Sequence, residues 1–116
     1  MAHTVTLLAN HKGVTNPRVM GDEYVVDANI NITSYTEDGE VITASSLGLD
    51  TITAVVLTGA ETASGVALER FVVELSNTGE YASSSSFKLV GTTASSGAES
   101  ANSDLGMIRI RAYGNI

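Results

Sequence analysis

The sequence predicts an all-β chain: a single-domain antiparallel β-sandwich or small barrel with one short helical turn. Two observations carry that expectation. Apolar and polar residues alternate with period two in several short runs, most cleanly in the closing Met107-Ile108-Arg109-Ile110-Arg111-Ala112-Tyr113-Gly114. There Ile108, Ile110 and Ala112 share one face, and Arg109, Arg111 and Tyr113 share the other. Successive side chains of a strand point to opposite faces, so this is the pattern of a half-buried strand. The second observation is that no 3.6-residue apolar pattern persists long enough for a helix of more than about three turns.

The elements follow in order. Residues 1–22 read as an N-terminal arm or a short strand and loop, and residues 23–116 as the sandwich domain. Residues 4–9 alternate weakly, and residues 10–22 carry turn formers and the only proline. Pro17 lacks an N–H and disfavours helix at Asn16, so this stretch is extended or looped. Few groups in residues 1–18 look able to anchor on the domain, so their removal is expected to leave the sandwich folded. Residues 24–33 form the clearest early strand, with Val26, Ala28, Ile30 and Ile32 opposite Val25, Asp27, Asn29 and Asn31.

Asp38-Gly39 supplies the positive φ of a tight turn before Glu40, Val41 and Ile42. Residues 43–49 then read as one helical turn, with Thr43 as N-cap and Gly48 as stop. Residues 51–58 are β-branched and continuous enough for burial on both faces. A loop of small residues at 59–65 precedes a strand at 66–75 that turns Phe71, Val73 and Leu75 inward and Arg70, Val72 and Glu74 outward. Asn77-Thr78-Gly79 signals a hairpin leading to Glu80-Tyr81, residues 83–86 are a serine run, and residues 87–90 form a short strand. Residues 91–104, rich in Ser, Ala, Thr and Gly, read as a mobile loop at one rim. The total is about seven strands.

Composition bounds the chemistry. A chain of 116 residues is one domain, and with two Phe, four Tyr and no Trp its core must be aliphatic. Such a core is thin for its length, which favours help from neighbouring subunits. Thirteen acidic and six basic residues give a net charge of −7, which repels phosphate backbones and argues against a nucleic-acid partner. There is no cysteine for a disulfide or thiolate metal site. Residues 1–9 lack a leader pattern, and the longest apolar run, Ala54-Val55-Val56-Leu57, is far short of the roughly 20 residues that span a membrane. A soluble protein without a membrane partner is expected.

Catalytic constellations are not visible. His3 lies in the N-terminal segment, His11 in a loop, and no Gly-x-Ser-x-Gly frames a serine. Asp22, Glu23 and Asp27, or Glu37, Asp38 and Glu40, are oxygen donors without the spacing of a calcium loop. The glycines stand singly between strands and make no phosphate cradle. The expectation is a protein that is not an enzyme, with no catalytic residue, cofactor or metal. The one locally positive stretch is Asn10, His11, Lys12, Asn16 and Arg18, a candidate docking arm. Arg109, Arg111 and Tyr113 share a strand face and are candidates for a subunit interface.

Several motifs resemble one family. Val25-Val26-Asp27-Ala28, Ser34-Tyr35-Thr36-Glu37-Asp38-Gly39-Glu40, Leu47-Gly48-Leu49 and the terminal Ile110-Arg111-Ala112-Tyr113-Gly114 are similar to those of small tailed-phage capsid decoration, or cement, proteins. The resemblance covers most of residues 23–57 and 106–114. Where many members have Gly-Gly-Glu at the turn this chain has Asp38-Gly39-Glu40, and Ile30 and Ile32 stand where Phe is frequent. The family implies no catalytic residue. It implies a homotrimer on the outer capsid surface of the virion, made in the host cytoplasm, that binds the major capsid protein and stabilises capsomer junctions. Docking would then fall to the positive arm around Asn10, His11, Lys12, Asn16 and Arg18. A tail-associated or carbohydrate-binding adhesion module is the alternative. It would need a concave face built from Tyr24, Tyr35, Tyr81 and Tyr113.

Overall fold

A computed structural model of the chain describes residues 2–10, 12–35, 39–61, 69–75, 85–93 and 104–116. Among the described residues there are eight strands: β1 (Ala2–Leu7), β2 (Arg18–Met20), β3 (Glu23–Ser34), β4 (Glu40–Thr43), β5 (Thr51–Glu61), β6 (Glu69–Glu74), β7 (Ser86–Thr93) and β8 (Gly106–Asn115). They form two antiparallel sheets, an all-β sandwich as the alternation predicts. The first sheet runs β1-β3-β8-β5 with β2 also on β3, and the second runs β4-β7-β6.

Strand β3 organises the first sheet. One of its edges pairs with β8, placing Ala28 opposite Ile110 and Ile30 opposite Ile108. Its other edge is shared end to end, with β1 along Ala28 to Ser34 and β2 along Glu23 to Val25. The inward row of β3 (Val26, Ala28, Ile30, Ile32) and that of β8 (Ile108, Ile110, Ala112) are fully buried, as expected. Ile42, Phe87 and Leu89 of the second sheet meet them, with Leu47, Leu49 and Ile52 closing one end.

The helical turn is a 3₁₀ turn, Ala44–Leu47. Thr43 caps it by accepting from the Ser46 N–H, and Gly48 ends it at φ 80°, as the sequence anticipates. The missing Cβ of Gly48 also makes room for the Pro17 ring, whose carbons would lie 3.3 Å from it. Gly114 is required for a different reason: a Cβ there would overlap the Thr51 carbonyl oxygen where β5 bulges against β8.

Four expectations are corrected. The N-terminal segment is anchored, because β1 pairs along β3 and Val5 and Leu7 pack against the core. Removing residues 2–18 would therefore strip a core edge strand. Arg18 to Met20 are strand, joined to β3 through a two-residue Gly21-Asp22 turn with Gly21 at φ 64°. Strand β5 is not buried on both faces: it is the outermost strand, bonded to β8 alone, and leaves Val56 and Leu57 exposed. It also continues through Gly59 and Ala60 to Glu61, while β7 takes in Gly91, Thr92 and Thr93, so both strands extend into stretches that the sequence assigns to loops. The Asn77-Thr78-Gly79 turn, Tyr81, His11 and residues 94–103 of the Ser-rich stretch lie outside the described residues.

Ile110 is fully buried between the two sheets. Ile110→Ala is expected to cost about 2–5 kcal/mol in urea unfolding, the transfer of its methyls plus the cavity they leave. A loss of a few tenths would place Ile110 on the wrong face of β8.

Candidate functional site

The outward face of the first sheet gathers the chemistry. Register places Asp27 of β3 directly opposite Arg111 of β8. The Arg111 fork donates twice, Nε to Oδ1 at 2.9 Å and Nη2 to Oδ2 at 3.1 Å. Arg18 of β2 donates from Nη2 to the same Oδ2 at 3.2 Å. A bidentate guanidinium pair is the strongest ordinary ion-pair geometry, and Asp27 needs it, being only 7% exposed on a face that sequence alternation assigns to solvent. The two arginines hold the Asp27 carboxyl below its ordinary value, Arg111 most, against the opposing push of burial. Asp27 in turn raises Arg111. Arg18 Nη1 is sealed from solvent with no hydrogen-bond partner among the described residues.

Thr53 lies in the β5 bulge, its hydroxyl 2.8 Å from Glu23 Oε1 and 3.2 Å from the Tyr113 carbonyl. The single hydroxyl proton serves one acceptor at a time. Further along the face, Asn29, Gly59, Ala60, Met107 and Arg109 line a shallow hollow of about 220 Å³. Arg18, Arg109 and Arg111, with Glu23 and Asp27, hold outward register positions on this sheet.

The docking and interface candidates therefore converge in part. Arg18 from the first group and Arg111 from the second share Asp27. Tyr113 lies two register pairs along, opposite Val25, while Arg109 is exposed. Asn10 is a loop organiser: its side-chain oxygen accepts from the Lys12 and Val14 N–H groups at 2.8 and 3.0 Å, and its carbonyl from Gly13 at 2.9 Å. Lys12 and Asn16 are exposed beside it. The same segment exposes apolar surface, with Val14 at 42%, Val19 at 69% and Met20 at 48%.

Sequence reasoning missed a second pair. Glu40 is fully buried at the start of β4, and its Oε1 lies 2.8 Å from His3 Nδ1 of β1, a hydrogen bond that bridges the two sheets. The signal was present, since Glu40 shares the parity of inward-facing Ile42. At the same end, the Tyr35 hydroxyl accepts from the Gly91 N–H at 3.1 Å. Among the described residues no group of three or more His, Cys, Asp or Glu side chains is placed to hold a metal ion. No family model, curated protein or solved structure matches this chain.

Two outcomes follow from these pairs. Because the folded carboxyl of Asp27 sits below its ordinary value of 3.8, its ion pairs stabilise the fold above that pH and are lost as pH falls through the lower folded value. The stability gap between wild type and Asp27→Asn should be widest near neutrality and close in strong acid, as measured by urea unfolding across pH; a gap independent of pH contradicts the pairing. His3→Ala should cost about 1–3 kcal/mol, because the buried Glu40 side chain loses a hydrogen-bond partner. An unchanged urea midpoint contradicts the bridge.

Proposed function

We propose that the chain is a non-catalytic structural module of a tailed-phage virion: a capsid decoration protein that docks on the outer surface of the major capsid protein. The observation that carries this reading is the way residues 10–20 are presented. Arg18 is tied to Asp27, and the Pro17 ring lies against Gly48, yet Val14, Val19 and Met20 face outward. A held segment with exposed apolar side chains loses little conformational entropy when a partner covers it. The motif resemblance over residues 23–57 and 106–114 supports the assignment to a phage shell.

Mechanistically, a module that binds the assembled shell but not its free subunits stabilises the shell by mass action. Assembly as a homotrimer would match a three-fold junction and raise occupancy through multivalency. Lys12 and Asn16 stand beside the apolar patch as its polar rim. An exposed ion pair at Lys12 would add only about 0–1 kcal/mol. Arg18 is engaged within the chain, so docking rests on shape and apolar contact. The adhesion alternative has less support: Tyr24 and Tyr35 pack against the core and so form no aromatic platform with Tyr113.

The test is co-sedimentation with undecorated shells. Val14→Asp, Val19→Asp and Met20→Asp combined should weaken binding at least about tenfold, the scale of one lost hot spot, while the urea midpoint holds. Undiminished binding by the triple variant would remove residues 10–20 from the docking surface, and no binding by wild type would end the decoration reading. Light scattering should show a trimer at micromolar concentration; a monomer counts against the three-fold mode.

A further inference from the structure

The hollow on the outward face of the first sheet plays no part in that docking segment. At about 220 Å³ it is smaller than the roughly 300–1,000 Å³ of sites for drug-sized ligands, and has the scale of one large side chain. Its floor exists because β5 bulges at Thr58 and sets Gly59 opposite Arg109. A Cβ on Gly59 would stand 4.0 Å from the Arg109 Cβ, an ordinary contact, so a missing side chain rather than backbone strain keeps the hollow open.

Arg109 differs from the other two arginines of the face. Arg18 and Arg111 are both committed to Asp27, whereas Arg109 is exposed and has no hydrogen-bond or ion-pair partner among the described residues. The side-chain amide of Asn29, half-buried on the neighbouring strand, likewise engages no described residue. One guanidinium and one amide without partners among the described residues, together with Met107, therefore border the same space.

We propose that this hollow is a recognition pocket for a glutamate side chain of a protein partner. The carboxylate would pair with the Arg109 guanidinium, whose fork matches it in shape and charge, and take a second hydrogen bond from the Asn29 amide. Its two methylenes would lie along Met107. A dianionic phosphate fits less well, since one cation opposes it on a chain of net charge −7. The assignment does not depend on the capsid reading, because it specifies the group recognised and not the assembly that carries it.

The experiment is an NMR titration of the ¹⁵N-labelled full chain with N-acetyl-glutamate N-methylamide at constant ionic strength. The matching glutamine derivative and inorganic phosphate are run in parallel. The glutamate probe should shift the Asn29, Gly59, Ala60 and Arg109 amides saturably in the millimolar range, while the glutamine derivative and phosphate leave them in place. Arg109→Ala, a change at an exposed side chain, should lower the affinity about tenfold or more, the scale of a lost charged hydrogen bond. Gly59→Val should do the same by filling the hollow. No saturable shift with the glutamate probe, an equal response to the glutamine derivative or to phosphate, or full affinity in Arg109→Ala would each overturn the proposal. Shell co-sedimentation reports separately on the decoration reading.

Discussion

The Asp27 carboxylate between two guanidinium groups is the interaction on which the arrangement of the N-terminal third depends. It lies on β3, which is already committed on both edges: β8 on one side, β1 and β2 end to end on the other. Burying a carboxylate on such a strand is costly unless charge and hydrogen bonds compensate it. Arg111 supplies that from within the sheet. Arg18 supplies it from β2, and so ties a three-residue strand that could not hold itself by backbone pairing alone. The loop between β1 and β2 is closed by the same device, helped by the Asn10 turn and by Pro17 against Gly48.

The interior has a different logic. With almost no aromatic residues available, it is filled by Ile, Leu, Val and Ala from both sheets, and Phe87 is the one fully buried aromatic ring of the described residues. Each aliphatic side chain contributes about 1.5–3 kcal/mol on full burial, so the fold depends on many small terms. Two polar links work at its margins: the His3–Glu40 pair spans the sheets at one end, and the Asp27 cluster closes the outer face. The two exposed regions, residues 10–20 and the hollow beside Arg109, are each attached to a strand of the first sheet.

Much of this was legible in the sequence because period-two alternation is a local property. The inward rows of β3 and β8, the Thr43 cap and the Gly48 stop all follow from neighbouring residues. What was not legible depends on which strands become neighbours. Asp27 and Arg111 are 84 residues apart, and nothing local says that they pair. Strand β5 is as apolar as a central strand, yet its place at the sheet edge exposes Val56 and Leu57. The short β2 was hidden by the turn formers around it, although Gly21-Asp22 is itself a hairpin signal. Of the candidate site residues, Arg18 and Arg111 were found by charge and face, but their common partner came only from the register.

Asp27 locks β2 and its loop onto the sandwich without being needed for the core. Native-state hydrogen exchange on wild type and Asp27→Ala tests this most directly, because it resolves local from global opening. Amide protection at Arg18 to Met20 should fall sharply in the variant, while the β3–β8 ladder around Ile30 and Ile108 keeps far more of its own. Unchanged protection in β2, or an equal loss throughout both strands, would contradict it.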